Sequence, residues 1–267
     1  MTSTTTTSRI DALFNGAVAG GALSKSALQA INIRDVGNDI NNALGVSVDD
    51  VTASEVVLVT QLIDDSGSIR FVSGNMEEVR KGHNLILDSL ADTKTIVKGG
   101  VLASCSYLNG ALLYPYMTVD TAVRMDTSNF NPMGGTPLYR QAIVTLATVL
   151  AKYQQFADTG VPCRTVTAII TDGGDSTGDR PDKVRKIVED MLRAECHIIA
   201  GVGIDDGSTD FKRVFGDMGI RPEWILTPGN SPSEIRRAFA MLSQSATRAS
   251  QSAKTFSQNA MGGFASP

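Results

Sequence analysis

The run Val56-Val57-Leu58-Val59-Thr60-Gln61-Leu62-Ile63 passes without a break into Asp64-Asp65-Ser66-Gly67-Ser68. The first part is rich in β-branched and aliphatic side chains over the length of a strand, apolar enough to be buried on both faces. The second part is a polar turn. Open parallel α/β sheets are built from such units, and their ligands bind beyond the carboxyl ends of the strands.

Downstream, strand and helix patterns alternate. Val79, His83, Ile86, Leu87 and Leu90 share one face of a helix expected near 76–91, with Asn75 as N-cap and Glu78 completing a loose capping box. Strands are expected at about 96–107 and 112–119, with the hairpin signal Asn109-Gly110 between them. An aperiodic loop over 120–135 leads to a helix that opens at Thr136-Pro137, read as N-cap and first helical residue, with Leu138, Ala142, Leu146, Val149 and Tyr153 on one stripe. Further strands are expected at 165–171, 196–204 and 224–227, and helices near 181–194, 209–218 and 232–246. The last opens on a full capping box, Ser231-Pro232-Ser233-Glu234. The expected fold is α/β: a doubly wound, mostly parallel sheet with one antiparallel edge strand and helices on both faces.

Around this core, residues 1–8 are nearly all Ser and Thr and are expected to be disordered. Residues 9–50 read as a helical extension broken at Gly20-Gly21. Ile10, Leu13, Phe14 and Val18 form one stripe; Ile33, Val36, Ile40 and Leu44 form another, expected to pack on the main domain over 51–245. The stretch 246–267 drifts into Ser, Ala, Gln and Gly and is expected to be a flexible tail.

The chain has 267 residues, 42% of them hydrophobic and 19% charged, enough to bury a sizeable core without disulfides. A net charge of -4 and the lack of a Lys/Arg cluster argue against a nucleic-acid partner. The cysteines, Cys105, Cys163 and Cys196, are odd in number and form no Cys-x-x-Cys pair, which argues against a disulfide scaffold or zinc ribbon and points to a reducing compartment. The N-terminal stretch lacks the apolar core of a signal peptide, and no run approaches the ~18 apolar residues of a membrane span. A cytoplasmic location with no membrane partner is the expectation.

Three polar groups fall where a parallel sheet places its ligands. They are Asp64 to Ser68 after the first strand, Asp172-Gly173-Gly174-Asp175 after the strand at 165–171, and Gly134-Gly135-Thr136-Pro137 at a helix start. Carboxylates and hydroxyls without His or Cys make a hard-oxygen site suited to magnesium, calcium or manganese, not to zinc or copper.

The pattern Asp64-x-Ser66-x-Ser68, then Thr136 in Gly-Gly-Thr-Pro-Leu, then Asp172 in Thr-Asp-Gly resembles the metal-ion-dependent adhesion site of von Willebrand factor A domains, with all five positions in the family's order. The resemblance covers 51–245. It implies that Ser66 and Ser68 coordinate the ion directly, that Asp64 acts through water and holds the loop, and that Thr136 and Asp172 exchange between direct and water-mediated coordination. It also implies that the remaining position accepts an Asp or Glu side chain from a protein partner. Magnesium is the default ion in a cytoplasmic setting, with calcium or manganese as alternatives. Similarity to intracellular bacterial members implies an adaptor, with partners such as an ATPase, a kinase or a stress or defence complex.

Asp65, Gly135 and Asp175 adjoin the metal positions and are candidates to support the ligands, although Asp65 and Asp175 read more simply as solvated loop carboxylates. Asp205-Asp206-Gly207 reads as turn chemistry, His83 and His197 as core residues, and Arg236 and Arg237 as a solvated helix face. Catalysis finds little support. A haloacid-dehalogenase-like phosphatase wants a second Asp where Ser66 stands, no Gly-x-Ser-x-Gly surrounds Ser66, and no loop histidine is available as a base. EF-hand spacing and a dinucleotide-binding Gly-x-Gly-x-x-Gly are both missing. A non-enzymatic binding module is therefore expected, with a structural or self-associating subunit as the alternative.

Overall fold

A computed structural model describes residues 3–92, 100–251 and 262–264. Six strands form one sheet in the order β3-β2-β1-β4-β5-β6. They are β1 (Val56–Ile63), β2 (Val101–Tyr107), β3 (Leu112–Thr118), β4 (Cys163–Thr171), β5 (His197–Gly203) and β6 (Ile225–Leu226). β1 is central and parallel to both β2 and β4, with Val57 opposite Val101 and Arg164. β5 and β6 continue the parallel half, while β3 returns antiparallel along β2. This is the doubly wound sheet with one antiparallel edge strand. Strand order reverses beside β1, so the carboxyl ends of β1 and β4 open onto the crevice where such sheets bind ligands. Every residue of β1 is buried, including Thr60 and Gln61, as a mostly apolar central strand covered on both faces requires.

The hairpin between β2 and β3 turns at Asn109-Gly110, with Gly110 at φ 91°. Ile96 to Lys98, part of the expected second strand, lie outside the described residues, and β2 begins at Val101.

The helices are α1 (Ser3–Ala19), α2 (Lys25–Ile31), α3 (Ile33–Ala43), α4 (Asn75–Ala91), α5 (Leu138–Asp158), α6 (Asp182–Arg193), α7 (Phe211–Asp217) and α8 (Pro232–Gln251). α4 and α8 pack against each other, while α5 packs on β1 and β4 and also touches α6. α7 lays Phe211 and Phe215 on Gly203 and Gly201 of β5, where an added Cβ would fall within 3 Å of either ring; the values are 2.1 and 2.6 Å. Among the described residues no helix is long and apolar enough to cross a membrane.

The N-terminal extension is integral to the core. α1 and α3 cover α5, α2 covers α6, and Ile10, Phe14, Val36 and Ile40 join the same buried cluster as the sheet. Asp190 of α6 accepts the Ser24 N–H at 2.7 Å. Lys152 of α5 is wholly buried, donating to the Val46 carbonyl and to Gln155 at 3.2 Å. Burial lowers its pKa to about 8, so its ammonium stays largely charged at neutral pH.

Several local expectations are corrected. α1 begins at Ser3, so positions 3–8 are helical where disorder was expected. α4 is capped by Gly74 at φ 94°; Asn75 is its first residue, and Glu78 pairs with Arg236. Helix α8 runs on to Gln251 with Ala246 and Ala249 buried, because its apolar face still has a surface to cover beyond 246. Phe264 comes back against Trp224, with ring centroids 5.3 Å apart. The other tail positions, 252–261 and 265–267, lie outside the described residues.

Gly82 of α4 faces the Phe239 ring of α8, and an added Cβ would sit 2.2 Å from it. Alanine would add ~1 kcal/mol of helix propensity, but overpacking a filled interface costs ~1–3 kcal/mol and more for a ring overlap. Gly82→Ala should therefore lower unfolding free energy in urea titrations; an unchanged or raised midpoint would show that the α4–α8 seam is loose.

His83 and His197 are fully buried. His83 Nε2–H donates to the Val123 carbonyl at 3.3 Å, and Thr165 Oγ1 meets His197 Nδ1 at 2.8 Å. Burial lowers their pKa values to about 4 and about 3, below the unfolded value of 6.5. Each group thus contributes stability that is complete above pH 6.5 and is lost as pH falls toward its folded pKa, because only the unfolded chain takes up the proton. An NMR titration should leave both imidazoles neutral from about pH 8 to about pH 5, since buried histidines resist protonation. A midpoint near 6.5 at either ring would contradict this packing.

Candidate metal centre at the carboxyl edge of the sheet

The site is assembled from backbone outward. The Asp64 N–H continues the sheet by donating to the Ile170 carbonyl at 2.8 Å, so the first site residue is fixed in strand register beside β4. The chain then turns into a short 3-10 turn over Gly67–Arg70. Ser66 pairs with Gly134 as a parallel bridge, and Gly67 N–H donates to Gly134 O at 3.0 Å. Met133 N–H and Gly134 N–H both donate to Asp65 O, at 2.9 and 3.2 Å. The loop before α5 is thereby sewn to the loop after β1.

Asp64 is completely buried. Its Oδ1 accepts the Ser66 N–H at 2.7 Å; its Oδ2 accepts the Thr171 hydroxyl at 2.6 Å and the Asp172 N–H at 3.4 Å. A buried carboxylate with these donors is a satisfied anion that clamps two loops together. Ser68 Oγ donates to Asp172 Oδ1 at 2.7 Å, Ser66 Oγ lies 3.3 Å from the same oxygen, and the two serine hydroxyls are 2.8 Å apart. Thr136 is buried with its hydroxyl beside Gly173, 3.8 Å from where a Cβ would stand there. All five residues expected at the metal, Asp64, Ser66, Ser68, Thr136 and Asp172, therefore gather at the ends of β1 and β4 and the start of α5.

Asp172 has its pKa pushed up to about 6, first by burial and further by the Asp64 charge, while the Ser68 and Ser66 hydroxyls pull it down. Neither Asp64 nor Asp172 has a Lys or Arg ion-pair partner among the described residues. Two buried carboxylates without a cation, ringed by small hydroxyls, fit a hard divalent ion. Among the described residues no three His, Cys, Asp or Glu side chains are placed to share a metal, so an ion held here would need hydroxyl oxygens to complete its shell.

The three supporting candidates take three different places, and the solvated reading of Asp65 is corrected. Asp65 is buried, not solvated, and its Oδ1 accepts the Asn109 N–H of the hairpin at 3.0 Å, away from the hydroxyl cluster. Burial raises its pKa, against the Asn109 hydrogen bond. Asp175 accepts the Tyr139 N–H at 3.3 Å, capping the first turn of α5, and binds Thr177 with its other oxygen. Gly135 leaves room for Ser176, whose Oγ would lie 3.3 Å from a Cβ at that position. Thr136 is not the N-cap. α5 starts at Leu138 with Pro137 as its cap, and Thr136 exchanges backbone and side-chain bonds with Ser176, both at 2.9 Å. That frees the threonine hydroxyl for the site.

Sequence reasoning missed Thr171 and Ser176. Thr171 is legible in retrospect as the hydroxyl immediately before Asp172; Ser176 had no motif to mark it. His83 and His197 lie in the core, and Asp205 and Asp206 bond their own loop at Gly207, Ser208 and Thr209. Arg236 is a correction: it forks onto Glu78 at 2.7 and 2.9 Å instead of being only a solvated helix face.

No family model matches the sequence, and no curated protein matches it. Solved structures resemble it in fold. The pilus adhesin SpaC of Lactobacillus rhamnosus GG aligns at 13% identity and TM-score 0.53, over 72% of this chain and 31% of that one. Its open conformation aligns at 14% and 0.51, over 73% and 30%. The VWA domain of SpRpn10 aligns at 11% and 0.47, over 74% of this chain and 98% of that one. Proximal thread matrix protein 1 of the mussel byssus aligns at 14% and 0.48, over 72% and 46%. The chain thus spans less than half of the adhesin and byssus chains it matches. The likeness is one of fold, a doubly wound, mostly parallel α/β sheet with one antiparallel edge strand.

Thr171→Val keeps the β-branched shape of a buried strand residue but removes the hydroxyl that holds Asp64. Loss of such an outer partner typically costs ~10–100-fold in metal affinity. Calorimetric titration with magnesium should show a weakening of this order with the fold retained; wild-type affinity would mean that Asp64 needs no second anchor.

Proposed function

We propose that this chain is a metal-dependent protein-binding module. Ser66, Ser68, Thr136, Asp64 and Asp172 hold a divalent cation, which supplies an electrophilic position for an Asp or Glu side chain of a partner protein. The observation that carries the reading is the convergence of both serine hydroxyls on Asp172, 2.7 and 3.3 Å from one carboxylate oxygen, beside an Asp64 that ties the β1 loop to the end of β4. An all-oxygen donor set favours magnesium, with calcium or manganese as alternatives. The resemblance to intracellular members supports an adaptor role in the cytoplasm, in a complex with an ATPase, a kinase or stress or defence components.

A binding role is favoured over catalysis because, among the described residues, no histidine stands at the rim to act as a base. The histidines are locked in the core, and Ser66 and Ser68 bond to each other and to Asp172. A purely structural subunit is disfavoured by the extension, whose apolar stripes are spent on α5 and α6 of the same chain.

Magnesium at ~100 times its dissociation constant should raise unfolding free energy by ~2.7 kcal/mol, and chelator should remove the gain. Asp64→Ala and Ser68→Ala should melt at the same temperature with or without magnesium. A magnesium shift that survives in both variants places the cation elsewhere and rules this reading out.

A further inference from the structure

Two large, strongly exposed apolar residues belong to the two loops that carry Ser68 and Thr136. Among the described residues Phe71 is 86% exposed and Met133 is 70% exposed, well beyond Val123 and Leu85 at 38% and 37%. Phe71 closes the turn that carries Ser68, donating its N–H to the Ser68 carbonyl at 2.9 Å. Met133 directly precedes Gly134-Gly135-Thr136, and its N–H is held by the Asp65 carbonyl. Arg70 bridges the two loops, its guanidinium donating to the Pro132 carbonyl at 3.4 Å. The loops are therefore braced against each other, and their apolar side chains are presented, not frayed.

The loops after β4 and β5, on the side of β1 away from the β2–β3 hairpin, are mostly acidic, with the exposed Arg180 among their carboxylates. Asp175 and the exposed Asp179, Asp205 and Asp206 belong to the loops after β4 and β5, which adjoin where Gly174 meets Thr209; a Cβ at Gly174 would lie 3.9 Å from the threonine methyl. A partner approaching the centre meets apolar surface and Arg70 on one side and carboxylates on the other.

We propose that Phe71 and Met133 form, with the metal centre, a composite docking surface. It selects a protein segment whose coordinating Asp or Glu is flanked by large apolar residues and carries no further acid. The inference rests on the metal reading above and deepens it by naming the partner's chemistry. Isolated exposed apolar residues need no explanation, but a pair beside a carboxylate-seeking site has the character of a binding rim. The acidic half excludes acid-rich competitors by repulsion, which sets specificity more than affinity.

The test uses the full chain and synthetic peptides carrying one glutamate flanked on both sides by Leu, Ser or Asp. In magnesium, the Leu-flanked peptide should bind at least about tenfold tighter than the Ser-flanked one, in line with burial of a large apolar side chain. The Asp-flanked peptide should bind weakest. Phe71→Ser with Met133→Ser should erase the Leu preference while leaving magnesium affinity and melting temperature unchanged, since both side chains face solvent. Equal binding of Leu- and Ser-flanked peptides to a chain that takes up magnesium overturns the rim and spares the metal reading. Failure to take up magnesium at all overturns both. Leu-peptide binding undiminished in chelator also overturns the composite surface. So does a dimer that the double substitution dissolves, because that assigns the patch to a second copy of the chain.

Discussion

Everything at the rim depends on one buried carboxylate. Asp64 occupies the position where the sheet's strand order reverses, and its two oxygens take the Ser66 N–H, the Thr171 hydroxyl and the Asp172 N–H. Those bonds fix the direction in which the chain leaves β1 and the spacing between the β1 and β4 loops. Ser66, Ser68 and Asp172 inherit their geometry from that clamp. A buried anion is expensive unless its hydrogen bonds are made, so the clamp and the burial require each other.

The same arithmetic explains what the site lacks. Asp172 is buried close to Asp64 without a basic side chain, and its carboxyl is pushed up to about 6 as a result. Lys or Arg here would neutralise the pair and close the site. Leaving the charge open creates a demand for a cation, while the serine and threonine hydroxyls supply short, neutral oxygens around it. The histidines that might have turned such a centre toward acid–base chemistry are buried among apolar side chains instead. The N-terminal helices add to this division of labour by covering the outer face of α5, down to the buried Lys152.

Much of this was legible in the residues because local and global demands agree. The β-branched, mostly apolar run of β1 has the length and composition of a strand buried on both faces, and Asn109-Gly110 between two strand patterns marks a hairpin tip. The five site residues follow strand ends or precede a helix, where topology alone brings them together. What escaped was set by tertiary detail. Thr136 looks like a helix cap, yet Ser176 from the β4 loop takes its N–H and the helix waits until Leu138. Asp65 looks solvated beside its neighbour, yet Asn109 pulls it inward. Arg236 looks like one of a pair on a wet helix face, yet Glu78 of α4 lies within reach. Each miss depends on a partner more than 30 residues away in sequence, with no motif to announce it.

The central claim is that these hydroxyls and carboxylates hold one hard cation with a position left for an outside carboxylate. A crystal structure grown in manganese, read by anomalous scattering, tests it most directly. The account predicts a single peak in contact with Ser66 and Ser68 Oγ at roughly metal–oxygen bonding distance, ~2.0–2.6 Å, with at least one coordination position filled by water or a neighbour's carboxylate. A peak elsewhere, no peak at saturating manganese, or a shell completed entirely by this chain would contradict it.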